Sequence, residues 1–176
     1  MDFYITRQQF RNLYDPAGET PLVCESVAGE AARCSCCHHS LVLFMQAAGW
    51  AGDIRTKDKQ QHRGPWHYIN WPFKPDGQPA NVQIREPEPV NILTAMAENE
   101  SVVKKENEVE RKAIALAWLF HLVGDIHQPL HTAQLFTADY PKGDRGGNEI
   151  CVRVTQTGQP MDLHRFWDGV ITSARI

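Results

Sequence analysis

His121 and Asp125 stand four residues apart inside the most apolar stretch of the sequence. On a helix that spacing puts an imidazole and a carboxylate on one face. Burying both is costly unless a partner satisfies them. His131 follows just past Pro129, where the chain can fold back towards that face, and His164 and Asp168 repeat the four-residue spacing further on. His67 sits among Trp66, Tyr68 and Trp71. These are nitrogen and oxygen donors of the kinds zinc takes at about 2.0–2.2 Å. Each has a plainer reading alone, as a hydrogen-bonded core histidine or a local His–Asp hydrogen bond. Two such pairs, with His131 and His67 beside them, favour a metal site. Zinc would bring a water with its pKa lowered towards ~7, and a metal pair steadies both the attacking and the leaving oxygen of a displacement. No side-chain nucleophile is then needed, and none stands out. His127 falls on another side of the helix from Asp125, and His62 is expected at the surface. The run Cys34-Ser35-Cys36-Cys37-His38-His39 offers a soft-metal alternative. Adjacent ligands with no second pair elsewhere fit a four-cornered zinc site badly.

The elements that must position these residues are mostly helical. Residues 109–128 are apolar almost all the way round, from Ala113 to Val123, which marks the buried centre of a helical domain; Pro129 ends the run. Pro87 and Pro89 open a helix over residues 90–105, with Val90, Leu93 and Ala97 on one face and Glu98 and Glu100 towards the other. Residues 62–80 set four prolines among four aromatics and read as an ordered loop. Gly143, Gly146 and Gly147 mark a tight loop, although no helix start follows to make it a phosphate cradle. Ile150, Val152 and Val154 then alternate with polar residues, as in one arm of a hairpin turning near Gly158-Gln159-Pro160. Residues 162–171 read as a last helix, and residues 1–44 show weak periodicity. The expected class is mainly α with a short β-hairpin.

A length of 176 residues suggests one domain with a real core, and 42% apolar with 22% charged residues excludes a disordered or fibrous chain. The net charge is −3, from 18 basic and 21 acidic residues. A protein that grips a polyanion through Lys and Arg alone shows a basic excess, and none exists here. The apolar run 113–120 falls short of the ~20 residues of a membrane span. The opening residues MDFYITRQQFRN lack the apolar core of an export signal. Five cysteines, three of them within four positions, do not form a disulfide framework.

Four segments in order carry a resemblance: Trp66-His67-Tyr68-Ile69-Asn70, then Phe120 through His131, then Gly146-Gly147-Asn148-Glu149-Ile150-Cys151-Val152, then Leu163 through Asp168. Together they resemble the zinc-dependent single-strand-specific nucleases of the S-one and P-one type, whose helical fold is shared with zinc phospholipase C. The likeness covers roughly residues 46–173. It implies a zinc cluster that hydrolyses phosphodiester bonds in single-stranded DNA or RNA, and often 3′-phosphates of nucleotides, with no membrane involved. By motif, His67, His121 and Asp125 would hold one zinc, with Asp125 bridging towards a neighbouring ion, and His131, His164 and Asp168 a second. Asn148 would contact a nucleobase, and Tyr68 would stack on one. Family members are typically secreted or periplasmic. Rival readings are a phosphoesterase for lipid head groups, a non-catalytic zinc-stabilised module, and a plain helical core.

The sequence departs from the family in three places. Trp50-Ala51-Gly52 stands where Trp-Ala-Asp is usual, leaving Asp53 next door as a substitute ligand. Asn70 replaces a common Asp; it can hydrogen-bond a base or a water but cannot act as a base. Nothing near Met1 matches the amino-terminal Trp and the His that bind zinc in family members. The expectation is therefore an unmatched segment at 1–45, a partial nuclease-like domain at 46–176, and two zinc sites with the third lost.

Overall fold

A computed structural model describes the backbone of residues 32–170 and the side chains of residues 43–55 and 58–170. Among the described residues five helices, α1 (Ala32–Lys57), α2 (Ile92–Lys105), α3 (Val109–Ile126), α4 (Pro129–Thr132) and α5 (Leu163–Val170), dominate the order. Between them lie a 3-10 turn (Gly64–His67) and four short strands, β1 (Trp71–Phe73), β2 (Ala133–Leu135), β3 (Cys151–Val152) and β4 (Met161–Asp162). The mainly helical class expected from the sequence is what the fold shows. Among the described residues no helix is long and apolar enough to cross a membrane. The Cys34–His39 run falls within α1, and its side chains lie outside the described residues.

The chain forms two compact units. One contains the described residues up to His62 together with Met96–Val123. Its core follows from helical spacing: Ala47, Trp50, Ala51 and Ile54 recur at three- and four-residue steps along α1, and all are buried. On α3 the buried residues are Ala113, Ala115, Ala117, Trp118 and Leu122. Small residues on both helices let them approach closely, as Ala47 meets Ala113 with Leu43 and Phe120 packed around them. Trp118 meets Trp50 edge-on, with ring centroids 6.1 Å apart. The apolar character of α3 thus fills a core, although Val123 remains exposed.

The second unit contains Arg63–Ala95 and the chain from Gly124 onward. Here β1 pairs in parallel with β2, Trp71 opposite Ala133 and Phe73 opposite Leu135. The pairing extends at both ends, where Ile69 N–H donates to His131 O at 2.7 Å and Phe136 N–H to Phe73 O at 2.8 Å. Phe136, Ile92 and Val82 are among the largest fully buried side chains. The aromatic loop of 62–80 is ordered, as expected, but contributes a strand and exposes Trp71 and Phe73. The hairpin is shorter than the alternation of 150–154 suggests: β3 and β4 pair antiparallel over two residues each. Asp162 then caps α5, its carboxylate accepting from Arg165 N–H at 2.7 Å.

Two sequence expectations are corrected. Helix α2 starts at Ile92, not residue 90, because Asn91 caps it: the Asn91 carboxamide accepts from Leu93 N–H at 3.0 Å, and Asn91 N–H donates to Thr94 Oγ1 at 3.0 Å. That cap turns Ile92 and Ala95 inward, while Val90, Leu93 and Ala97 are exposed. His62, expected at the surface, is half-buried.

Candidate metal centre

The loop 64–73 delivers His67, the last residue of the 3-10 turn. Its Nδ1 lies 2.8 Å from Asp125 Oδ2, and both side chains are largely buried. Asp125 occupies the last turn of α3, and His121 stands one turn before it on the same face. His121 Nδ1 bonds to Ala48 O at 2.7 Å. A carbonyl only accepts, so Nδ1 carries the hydrogen and Nε2 carries the lone pair of the neutral ring. Backbone carbonyls orient metal-binding histidines in the same manner. His67, His121 and Asp125 make one candidate donor set.

Pro129 does more than end α3. It opens α4 at the position where its missing N–H costs nothing, while Gln128 caps the turn by accepting from Leu130 N–H. This single turn places His131 facing inward, 9% exposed. His131 Nε2 is 3.4 Å from Asp168 Oδ1. His164 Nε2 is 3.7 Å from Asp168 Oδ2, one helical turn along α5. The two imidazoles stack, with centroids 4.8 Å apart and planes within 13°. His131, His164 and Asp168 each bring a ligand atom to within 4.8 Å of the others. Tetrahedral donors on zinc–ligand bonds of ~2.1 Å stand about 3.4 Å apart, so this spacing suits zinc with little rearrangement.

Two further observations fit a cation. His131 Nδ1 is buried without a hydrogen bond. At 3.6 Å from Asp125 Oδ1 it is also beyond bonding distance. Burial holds the His131 imidazole below its ordinary 6.5, and the neighbouring His164 pushes the same way, while Asp125 and Asp168 pull it back up. The ring is therefore neutral at pH 7, the form in which imidazole binds a metal. Asp125, with one oxygen towards His67 and the other towards His131, lies between two candidate ligands of different sets.

Asp53 joins neither donor set among the described residues. The reason is helical geometry. A Cβ built at Gly52 would lie 3.5 Å from His121 Cε1, so position 52 is the one that faces the histidine. Asp53, next along α1, is turned about 100° away. His127 is exposed. Of the residues expected to meet substrate, Tyr68 is 39% exposed, Asn148 is exposed with its amide donating to Arg145 O at 2.7 Å, and Asn70 is half-buried.

Sequence reasoning overlooked Gln128 and Asp144. Gln128 Nε2 donates to Asp168 Oδ1 at 3.0 Å, linking the α4 cap to a candidate ligand. Asp144 is 3% exposed and collects three backbone N–H groups. The signals were present: a capping residue before Pro129, and an Asp directly ahead of a glycine turn.

The chain is similar to Nuclease S1 of Aspergillus oryzae, 26% identical over 153 residues, which are 86% of this chain and 47% of that protein. It is 37% identical over 86 residues to Endonuclease 3 of Arabidopsis thaliana, covering 49% of this chain and 25% of the relative. Endonuclease 4 of the same plant is 37% identical over 84 residues, 48% of this chain and 24% of the relative. The chain thus spans about half the length of Nuclease S1 and about a quarter of the plant proteins. The family described as S1/P1 Nuclease matches residues 25–175, starting upstream of the motifs and taking in both donor sets, and the chain belongs to that family.

Proposed function

We propose that this chain carries two zinc sites of a phosphodiester hydrolase acting on single-stranded nucleic acid. The observation that carries the reading is the pair of donor sets with Asp125 turned towards a ligand of each. His131, His164 and Asp168 would hold one ion, and His67, His121 and Asp125 the other. Bound zinc supplies Lewis acidity, polarising a phosphoryl oxygen and lowering the pKa of a coordinated water towards ~7. The protein's own part is orientation: Ala48 O and Gly146 O fix the His121 and His164 rings, and Gln128 steadies Asp168.

Substrate choice follows from what lies open. Tyr68 is next to His67 and exposes its ring, and any base of an unpaired strand offers a face to stack on it. The Asn148 and Asn70 carboxamides can both donate and accept, as recognition of a base edge requires.

The test is metal analysis combined with turnover. Purified protein is expected to hold two zinc ions per chain and to cleave a short single-stranded oligonucleotide. Chelation should abolish cleavage and added zinc restore it. Three tightly held zinc ions would overturn the two-site reading. Hydrolysis of phosphatidylcholine in place of the oligonucleotide would give the substrate to the lipid alternative, and chelator-sensitive melting without turnover would make the zinc purely structural.

A further inference from the structure

Asp144 lies outside both donor sets, yet its carboxylate is among the most buried polar groups described. Oδ1 accepts from Leu135 N–H at 2.9 Å and from Gly146 N–H at 3.1 Å, and Oδ2 accepts from Gly147 N–H at 3.0 Å. Its own N–H donates back to Leu135 O at 3.0 Å. Leu135 ends β2, the strand that follows directly from the α4 turn bearing His131. Gly146 carries the carbonyl that accepts from His164 Nδ1 at 2.8 Å. One carboxylate therefore ties the segment leading from one candidate ligand to the loop that orients another.

The loop depends on glycine where it passes closest to its neighbours. Gly146 and Gly147 have φ of +60° and +81°, which side chains rarely adopt. A Cβ at Gly146 would lie 2.4 Å from Leu130 O, just before His131. With sterics this close on one side, the three N–H bonds decide where the Gly146 carbonyl points.

We infer that Asp144 is a positioning residue for the zinc site of His131, His164 and Asp168: it sets the Gly146 carbonyl that holds His164 in the Nδ1–H tautomer with Nε2 towards the metal. The inference rests on the zinc reading above. Asp144→Asn tests it with almost no change in volume. An amide has one acceptor oxygen in place of two, so at least one of the three N–H groups would face another donor. The Gly146–Gly147 loop must then shift, and the bond to His164 weakens.

Metal-free protein is titrated with zinc against a chromophoric chelator. Loss of a partner behind a metal ligand lowers affinity by about 10–100-fold, so one of two zinc ions in Asp144→Asn should bind at least about tenfold more weakly. Nitrogen NMR of the metal-free variant should show His164 leaving the Nδ1–H tautomer. Thr137→Ala is the control: it removes the Thr137 Oγ1 bond to Tyr140 N–H in the preceding turn, without touching the Gly146 carbonyl. It should lower the melting temperature and leave both zinc affinities unchanged. Should Asp144→Asn not fold, Asp144→Ser, which keeps one acceptor, carries the same measurements. Equal zinc affinities in variant and wild type, or an equal loss in Thr137→Ala, overturn the positioning role. Failure of the wild-type protein to take up zinc would instead overturn the metal reading beneath it.

Discussion

Gly52→Asp restores a carboxylate at the position of α1 that faces His121. The change fits sterically, since the new Cβ would meet His121 Cε1 at 3.5 Å, an ordinary contact. In metal-free protein the effects are small. Aspartate is better in a helix interior than glycine by a few tenths of a kcal/mol. Position 52 lies more than a turn before the α1 carboxyl end at Lys57, so the helix dipole opposes the new charge only weakly. The metal-free melting temperature should therefore move by no more than about 1 °C. With zinc the balance changes, because His67, His121 and Asp125 supply three donors and zinc prefers four. If the added carboxylate tightens binding tenfold, stability at a fixed saturating zinc concentration rises by about 1.4 kcal/mol. For a chain of this size that is a further rise of about 3–6 °C. Thermal melting with chelator and with zinc measures both numbers. Gly49→Asp is the control, because position 49 has nothing within 4 Å and the new charge would face no donor set. Equal zinc-dependent shifts in the two variants, or none in Gly52→Asp, would refute the reasoning that position 52 addresses the metal.

Two further outcomes are expected. Trp118→Ala removes a side chain that is 2% exposed and packed against Trp50, which should cost about 3–5 kcal/mol and lower the melting temperature by more than about 6 °C; a shift below 2 °C would mean that α1 and α3 do not share this core. In metal-free protein, the lowered pKa of His131 makes the unfolded chain the better proton acceptor. Stability should thus be unaffected above the unfolded value of 6.5 and decline as pH falls through it, at up to about 1.4 kcal/mol per pH unit, until the folded pKa is passed. His131→Gln should flatten that part of the profile in denaturant titrations between pH 8 and 5, and identical slopes would contradict a buried neutral ring.

The helices and the donor residues were legible because their signals are local. Four-residue spacing fixes the relation of His121 to Asp125 and of His164 to Asp168 whatever the tertiary fold, and the apolar run of α3 can only be a core. What escaped the sequence is non-local. The parallel pairing of β1 with β2 joins segments about 60 residues apart and leaves no periodicity in strands of three residues. The buried face of α2 depends on where the helix begins; the Asn91 cap moves the start to Ile92 and so exchanges Val90 and Leu93 for Ile92 and Ala95. Asp144 reads as a turn residue until Leu135 is brought against it. Positions 52 and 53 are adjacent in the sequence, and only the helix shows that one faces His121 while the other is turned away.

The acidic balance of the chain bears on how it can meet a phosphodiester. Asp125 and Asp168 flank His131, and at ~5 Å a phosphate charge would be repelled by each by about 3 kcal/mol at an effective dielectric of 20. Two divalent ions would add four charges, changing the formal charge from −3 to +1 with all of the change at the two donor sets. The same carboxylates that repel the substrate from metal-free protein are then the ligands that hold the attracting charge. Under the proposed function, substrate binding and hydrolysis would thus depend on one event. Chelation should remove oligonucleotide affinity together with turnover, a pattern that a surface of lysines and arginines gripping the strand independently of metal would not produce.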